Sequence, residues 1–600
     1  MTFFNPLDKF YKSQIGAVCA NKKLTFRVKG DFNSVVLLLK KDQKIEDEVV
    51  LLENKGEYFE TSIKIDAGLY FYCFSLGDNK FIGLGDNYVG EITSQPVRFQ
   101  LSVYEKEFSV PEWIKGGVIY QIFPDRFCRF EMNKKIEDDK ILHENWLDCP
   151  VFEPNKFGKI LNNDFFGGDI KGIISKLDYI KSLGTTVIYL NPIFKAYSNH
   201  RYDTGDYMTI DPLLGNIDDF KLLIDKANEK GIKIILDGVF NHTGDDSLYF
   251  NKYGKYDSVG AYQSKDSKYY GWYNFINYPN KYDAWWGIDI LPAVNEDNPD
   301  YVNFITGENG VIDFYTRLGI GGWRLDVVDE LPSFIVEKIR ATAKKANENA
   351  IVIGEVWEDA SNKISYGVRR KYFQGKELDS VMNYPLKNAI INFVKYKDSK
   401  GLSNVINQQI DHYPTFVLHA LMNLLSTHDT YRLITALCGE NVEGKTKAQI
   451  SKISLNKVDY ENAKFFVKVA SLLQFTLCGV PSIYYGDEIG MQGYQDPLNR
   501  KCYPWGFEDK ELLDWYKFLG GLRKNYDAFV DGDYCNLYDE NGAFIFKRLG
   551  KNSEVLIAIN LDKKTIELSF ADKLYNLIDE VEYSENYLLK GQSFAAFIKK

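Results

Sequence analysis

The feature that most constrains this chain is a set of nearly continuous apolar runs separated by helical stretches. Val118–Phe127 (VIYQIFPDRF), Thr185–Phe194 (TTVIYLNPIF) and Ile232–His242 (IKIILDGVFNH) place apolar side chains on successive positions rather than on every second one. Alternation marks a strand with one wet face; continuity marks a strand covered on both faces, as in a parallel sheet with helical crossovers. The stretches IKGIISKLDYIKSLG and DDFKLLIDKANEKG precede the second and third runs and read as helices. GWRLD (322–326), IVIGEVW (351–357), DSVMNYP, NLLSTHDT and PSIYYGDEIG bring the strand count to eight. Eight such units predict an α/β fold, a (β/α)8 TIM barrel.

The 600 residues leave room for more than the barrel. From Leu24 to about Leu101, LTFRVKG, SVVLLLK, EVVLLE, YFETSIKI and GLYFYCFSL are short, β-branched or aromatic, and divided by turn residues, which predicts an antiparallel sandwich over residues 1–105. It would serve as a carbohydrate-binding module or as a packing and dimerisation domain. The barrel is expected over 106–525. Within it, residues 243–299 are dense in Tyr, Trp, Gly and Asn, including Tyr269, Tyr270, Trp272, Trp285 and Trp286, and are too long for a structureless loop, so an inserted subdomain after strand 3 is expected. AFIFKR, EVLIAIN and KTIELSF predict a second β domain over 526–600.

Two carboxylates stand at neighbouring predicted strand ends: Asp326 after GWRL and Glu355 after IVIG. Between them Leu331–Asn349 has helical apolar spacing, with Pro332 suited to a first turn. Side chains at the C-terminal ends of barrel strands converge on one pocket. Paired carboxyls there suit glycoside hydrolysis, in which one ionised group attacks the sugar and a protonated one donates to the leaving oxygen. Arg324, two residues before Asp326 and on the same strand face, would hold Asp326 ionised. Glu355 lies among Ile351, Val352, Ile353, Val356 and Trp357, surroundings that favour a neutral acid. A buried Arg–Asp ion pair beside an unrelated Glu is the bland alternative.

Charge and composition narrow the partner. With 73 Lys and Arg against 83 Asp and Glu, the net charge is −10 and no basic run dominates, so nucleic acid is excluded and the substrate should be neutral or cationic. Forty-one Tyr, 40 Phe and 9 Trp supply flat faces suited to sugar rings as well as to cores. The eight cysteines form no CxxC pair, which argues against a zinc ribbon or dithiol motif. Neither a signal-length apolar stretch at the N-terminus nor eighteen consecutive apolar residues occurs, so a cytoplasmic protein that does not engage a membrane is expected.

Three of the six histidines, His200, His242 and His428, follow predicted strands in polar, turn-rich motifs, and Asp429 follows His428. Asp237 and Asn241 flank the third strand end. Imidazoles and carboxylates can exchange hydrogen bonds with sugar hydroxyls. DGVFNH (237–242), GWRLDVVDE (322–330), GEVW (354–357) and STHDT (426–430), in this order, resemble the α-amylase family of glycoside hydrolases. The likeness extends through SNHRYDTGDY, YYGDEIGMQG and DPLNR (496–500), and the N-terminal sandwich with FFGGDIKGIISKLDYIKSLG is similar to the neopullulanase, cyclomaltodextrinase and amylopullulanase group.

The resemblance implies Asp326 as nucleophile, Glu355 as acid/base and Asp429 as the third carboxylate, which distorts the sugar. It implies that His200, Tyr202, Asp237, Asn241, His242, Arg324, Trp357, His428, Asp496 and Arg500 bind substrate. The expected activity is retaining hydrolysis of α-1,4 bonds, and of α-1,6 bonds as an extension, in maltodextrins, pullulan or related α-glucan oligosaccharides and polysaccharides. An α-glucosidase, cyclomaltodextrinase or 4-α-glucanotransferase is the near alternative, and a non-catalytic sugar-binding protein the remote one. A monomer or homodimer is expected, with no organic cofactor. No metal is assigned: the loop CRFEMNKKIEDDK lacks an Asn/Asp-rich calcium pattern, and Asp169 is one isolated candidate against the six or more oxygens calcium takes.

Overall fold

A computed structural model describes residues 2–136 and 139–599; Glu137 and Asp138 of the loop after the first barrel strand lie outside the described residues. Eight parallel strands form the central sheet: β1 Ile119–Ile122, β2 Val187–Leu190, β3 Lys233–Gly238, β4 Gly322–Leu325, β5 Ile351–Gly354, β6 Ser380–Val381, β7 Met422–Leu424 and β8 Val480–Tyr484. Each pairs with its neighbour in chain order, β8 pairs with β1, and a bridge between Met382 and Met422 closes the ring between β6 and β7. The α/β barrel read from the apolar runs is the observed fold. Almost every strand residue is buried, because helices cover the outside and side chains fill the inside.

The ordered strands are shorter than the runs that revealed them. The first run leaves the sheet after Ile122, and Pro124–Phe127 makes a single helical turn that Pro124 starts, since its fixed φ suits a first turn. The segment IKGIISKLDYIKSLG is two short helices, Ile170–Ser175 and Leu177–Ser182, interrupted at Lys176. Ile217–Glu229 begins at a capping box in which Asn216 and Asp219 bond each other's backbone amides, worth about 1 kcal/mol. Between β4 and β5 the helix runs over Ser333–Ala346, with Pro332 as its cap rather than inside its first turn.

Before the barrel, a seven-stranded sheet and the three-stranded sheet Leu24–Lys29, Tyr58–Ile63, Glu53–Asn54 enclose Phe26, Leu37, Tyr72, Phe74 and Leu101. After it, a six-stranded antiparallel sheet faces a two-stranded one over Ile545, Leu556, Leu589 and Phe597. The excursion after His242 contains one short antiparallel pair, Phe275–Asn277 with Lys281–Tyr282, and packs chiefly through aromatic rings: Phe250 meets Tyr273 at 4.9 Å and Tyr282 at 4.7 Å. Its chain returns to the barrel through bridges from His242 to Ala293 and Tyr273 to Val294, which fixes its Trp285–Trp286 turn above the strand ends.

Candidate active site

Asp326 and Glu355 each stand one residue beyond the C-terminal end of their strands. The Asp326 amide bonds Gly238 O at 3.0 Å and the Glu355 amide bonds Leu325 O at 3.1 Å, so the sheet ladder itself carries both carboxylates. Arg324, buried within β4, spans the cluster. Its Nη1 donates to Asp237 Oδ1 at 2.7 Å and to Asp326 Oδ1 at 2.8 Å, and its Nη2 makes an ion pair with Glu355 Oε2 at 2.8 Å. Glu355 also accepts from the Val327 amide at 2.9 Å and from Trp357 Nε1 at 3.2 Å. Presenting that amide puts Val327 in the left-handed region, φ 39°, which is costly for a β-branched residue.

This geometry corrects the electrostatic expectation. Arg324 does not serve Asp326 alone, and Glu355 is not in an apolar niche, because the guanidinium fork reaches three carboxylates at once. Burial pushes the Asp326 carboxyl well above its usual range; Arg324 opposes this, while Glu355 and Asp237 push the same way. Burial raises Asp237 as well, again against Arg324. One guanidinium faces both of these buried carboxyls, so Asp326 and Asp237 hold protons more tightly than exposed carboxyls do, and hold them jointly. Such a cluster can present one ionised and one protonated carboxyl at the same time.

A second network builds the opposite wall. Gln121 and Asn191 donate to His428 Nδ1 at 3.0 and 3.1 Å, so Nε2 carries the ring proton and faces Tyr202 Oη at 2.5 Å and Asp429 Oδ2 at 3.2 Å. Tyr202 and Tyr189 in turn donate to Asp237 Oδ2 at 2.8 and 2.7 Å. Burial, with Arg500 and Arg324 adding, holds His428 well below the usual histidine value, so it is neutral near pH 7. Arg500 Nη1 pairs with Asp496 at 2.8 Å and its Nη2 lies 3.4 Å from Asp429. Burial pushes Asp429 up to about 7, Glu355 adds to the rise, and Arg500 and Arg324 oppose it; solvent reaching 35 % of the side chain screens part of this.

Asp326, Glu355 and Asp429 line one cleft of about 1570 Å³ together with His200, Tyr202, His242, Trp357, His428, Asp496 and Arg500. Three of the residues expected to touch substrate do not line it. Asp237 and Arg324 are buried in the layer beneath, locked to each other, and Asn241 is buried with its amide reaching the Asp326 carbonyl at 3.4 Å. They position the floor.

Residues 121–518 match the alpha amylase catalytic domain. The chain belongs to the alpha-amylase family. An amylopullulanase of Thermoanaerobacter thermohydrosulfuricus is 36% identical over 90% of this chain and 40% of its own length. A cyclomaltodextrinase of Thermoanaerobacter pseudethanolicus is 33% identical over 91% of this chain and 89% of its own. Among solved structures, a cyclomaltodextrinase superposes with TM-score 0.71 at 26% identity, covering 100% of this chain and 99% of that one. The chain spans less than half the length of the amylopullulanases it matches.

Three groups at this site carried no motif. Tyr189, Gln121 and Asn191 orient Asp237 and His428 from inside strands or just past them, positions that periodicity alone does not mark as polar anchors. Glu330 accepts from Trp285 Nε1 and Trp286 Nε1, both at 2.6 Å, and from Tyr366 Oη at 3.1 Å, and the two indoles stack at 4.8 Å beside His242. Trp357 stacks on Tyr384 at 3.9 Å and 11° while leaving one face open. Asp169 does not fit a calcium site. Its carboxylate caps Ile170–Ser175 through the Gly172 amide, accepts from the Phe130 and Glu131 amides, and has Lys134 Nζ at 2.9 Å where a cation would sit. Among the described residues no group of three or more His, Cys, Asp or Glu could hold a metal, and no helix is long and apolar enough to cross a membrane.

Proposed function

We propose that this chain is a retaining hydrolase of soluble α-glucans, cleaving α-1,4 and α-1,6 bonds in maltodextrins and pullulan. The observation that carries the reading is the bridging of Asp326 and Glu355 by one guanidinium at the floor of the cleft. Asp326 attacks the anomeric carbon while Glu355 gives its proton to the departing glycosidic oxygen, leaving a glycosyl ester on Asp326. Glu355, now ionised, takes a proton from water, whose oxygen attacks the same carbon and frees Asp326. Two carboxyls held on the two arms of one side chain favour this close-spaced route over one that must admit water between them. The steps call for no organic cofactor.

Asp429 binds hydroxyls of the sugar being distorted, a role supported by its neighbours, neutral His428 and Arg500. A cleft of about 1570 Å³ exceeds the roughly 300–1,000 Å³ of small-ligand sites, which favours several glucose units over one. The relatives named amylopullulanase and cyclomaltodextrinase support the same substrate class. The test is NMR of the first reducing ends released from maltohexaose and pullulan: α-anomers are expected, and initial release of β-anomers would overturn the retaining assignment.

A further inference from the structure

The connection from β5 to β6 carries a hairpin, Ile364–Ser365 with Val368–Arg369, whose tip residue Tyr366 stands at the mouth of the cleft with 75% of its surface exposed. Tyr366 is in the left-handed region, φ 49°, and Gly367 follows at φ 76°. A two-residue tip with both φ positive is a tight turn that projects its side chain outward. The tip reaches Glu330, the same carboxylate that holds the Trp285 and Trp286 indoles. Hairpin, β4 loop and inserted segment therefore meet in one wall beside Glu355.

The base of this hairpin is fastened to the N-terminal sandwich. Arg369 Nε and Nη2 donate to Asp42 Oδ2 and Oδ1 at 2.8 and 3.1 Å, a forked pair, and Asp42 sits in the turn after strand Val36–Lys41. A few residues earlier, buried Gln100 of the sandwich strand Phe99–Tyr104 donates to Ser361 Oγ at 2.8 Å and accepts from Asn362 Nδ2 at 2.7 Å. Arg369 also closes on the Asn362 carbonyl, so the two anchors support each other. A forked Arg–carboxylate pair fixes direction as well as distance. The sandwich thus sets the angle at which the hairpin leaves the barrel.

We infer that the N-terminal sandwich is a positioning element for substrate specificity: through Asp42–Arg369 and Gln100–Asn362 it holds Tyr366 and, through Glu330, the Trp285–Trp286 platform against the glucan portion beyond the scissile bond. Asp42 and Arg369 are positioning residues; they do not line the cleft. A chain long enough to reach the mouth meets this wall, whereas a disaccharide glycoside is held at the floor. The inference rests on the glucan reading for its ligand.

The test is Asp42→Ala in the full chain, with Arg369→Ala beside it and the exchanged pair Asp42→Arg/Arg369→Asp as rescue. Releasing one immobilised side-chain fork costs about 3- to 10-fold in binding. KM for maltohexaose is expected to rise by about that factor in each single variant, with kcat and KM on 4-nitrophenyl α-maltoside unchanged, and the exchanged pair should recover most of the loss. Hydrogen exchange over residues 362–370, measured without sugar, should quicken in the single variants only. Unchanged exchange, unchanged KM for maltohexaose, or an equal fall in kcat on both substrates would each overturn the inference. A wild-type chain that cleaves no glucan would instead overturn the substrate assignment, and the exchange measurement would still decide the buttress.

Discussion

Replacing Arg324 by Lys tests the idea that one guanidinium organises the whole cluster. Arg324 reaches Asp237, Asp326 and Glu355 at 2.7–2.8 Å from a fully buried position. A lysine ammonium is a point charge without a fork and can satisfy one of these partners. Losing two of these three charged contacts, two of them hydrogen bonds from Nη1 and one an ion pair from Nη2, at ~1.5–3 kcal/mol each, costs about 3–6 kcal/mol, and the lower end is expected because the orphaned carboxylates relieve repulsion by taking up protons. Arg324 is the main group that lowers Asp326, so its removal raises that carboxyl further. The nucleophile works ionised, so activity falls as pH drops through its titration, and raising that point moves the acid limb upward. The assay is kcat/KM on maltotriose from pH 4 to 9, which reports free-enzyme ionisations, alongside urea unfolding followed by tryptophan fluorescence. An Arg324→Lys protein with an unshifted acid limb and kcat/KM within about threefold of wild type would refute the reasoning.

His242→Gln should flatten the acid loss of stability. Burial lowers the His242 pKa from 6.5 to about 4, so between those values the unfolded chain binds a proton the folded one does not, and stability falls as pH falls through that window. The contribution is on the order of 3 kcal/mol, and comparing urea midpoints of the two proteins at pH 7.5 and 4.5 reads it; parallel losses would count against it. Glu355→Gln should lower kcat on maltotriose by several orders of magnitude yet spare sugars with activated leaving groups, which need less protonation. Asp326→Asn should abolish turnover on both kinds of substrate, and full activity on either would place the nucleophile elsewhere.

The barrel and the two carboxylates were legible in the sequence because both depend on local order. Continuous apolar runs report two buried faces wherever the chain lies, and a residue directly after such a run must stand at a strand end. Hence Asp326, Glu355 and the His428–Asp429 pair could be placed at one rim from spacing alone. What the spacing of Arg324 from Asp326 could not convey is that the same guanidinium reaches Asp237 and Glu355, since those pairings follow from the register of β3, β4 and β5. Gln121 and Asn191 carry no local signal, because only closure of the ring sets them against His428 Nδ1. The fastening of Arg369 to Asp42 joins residues 327 positions apart, a pairing that no local pattern encodes because it exists only once the sandwich has docked beside the barrel. Local chemistry determined which residues could do the work; packing between distant elements decided which of them touch the cleft and which hold it in shape.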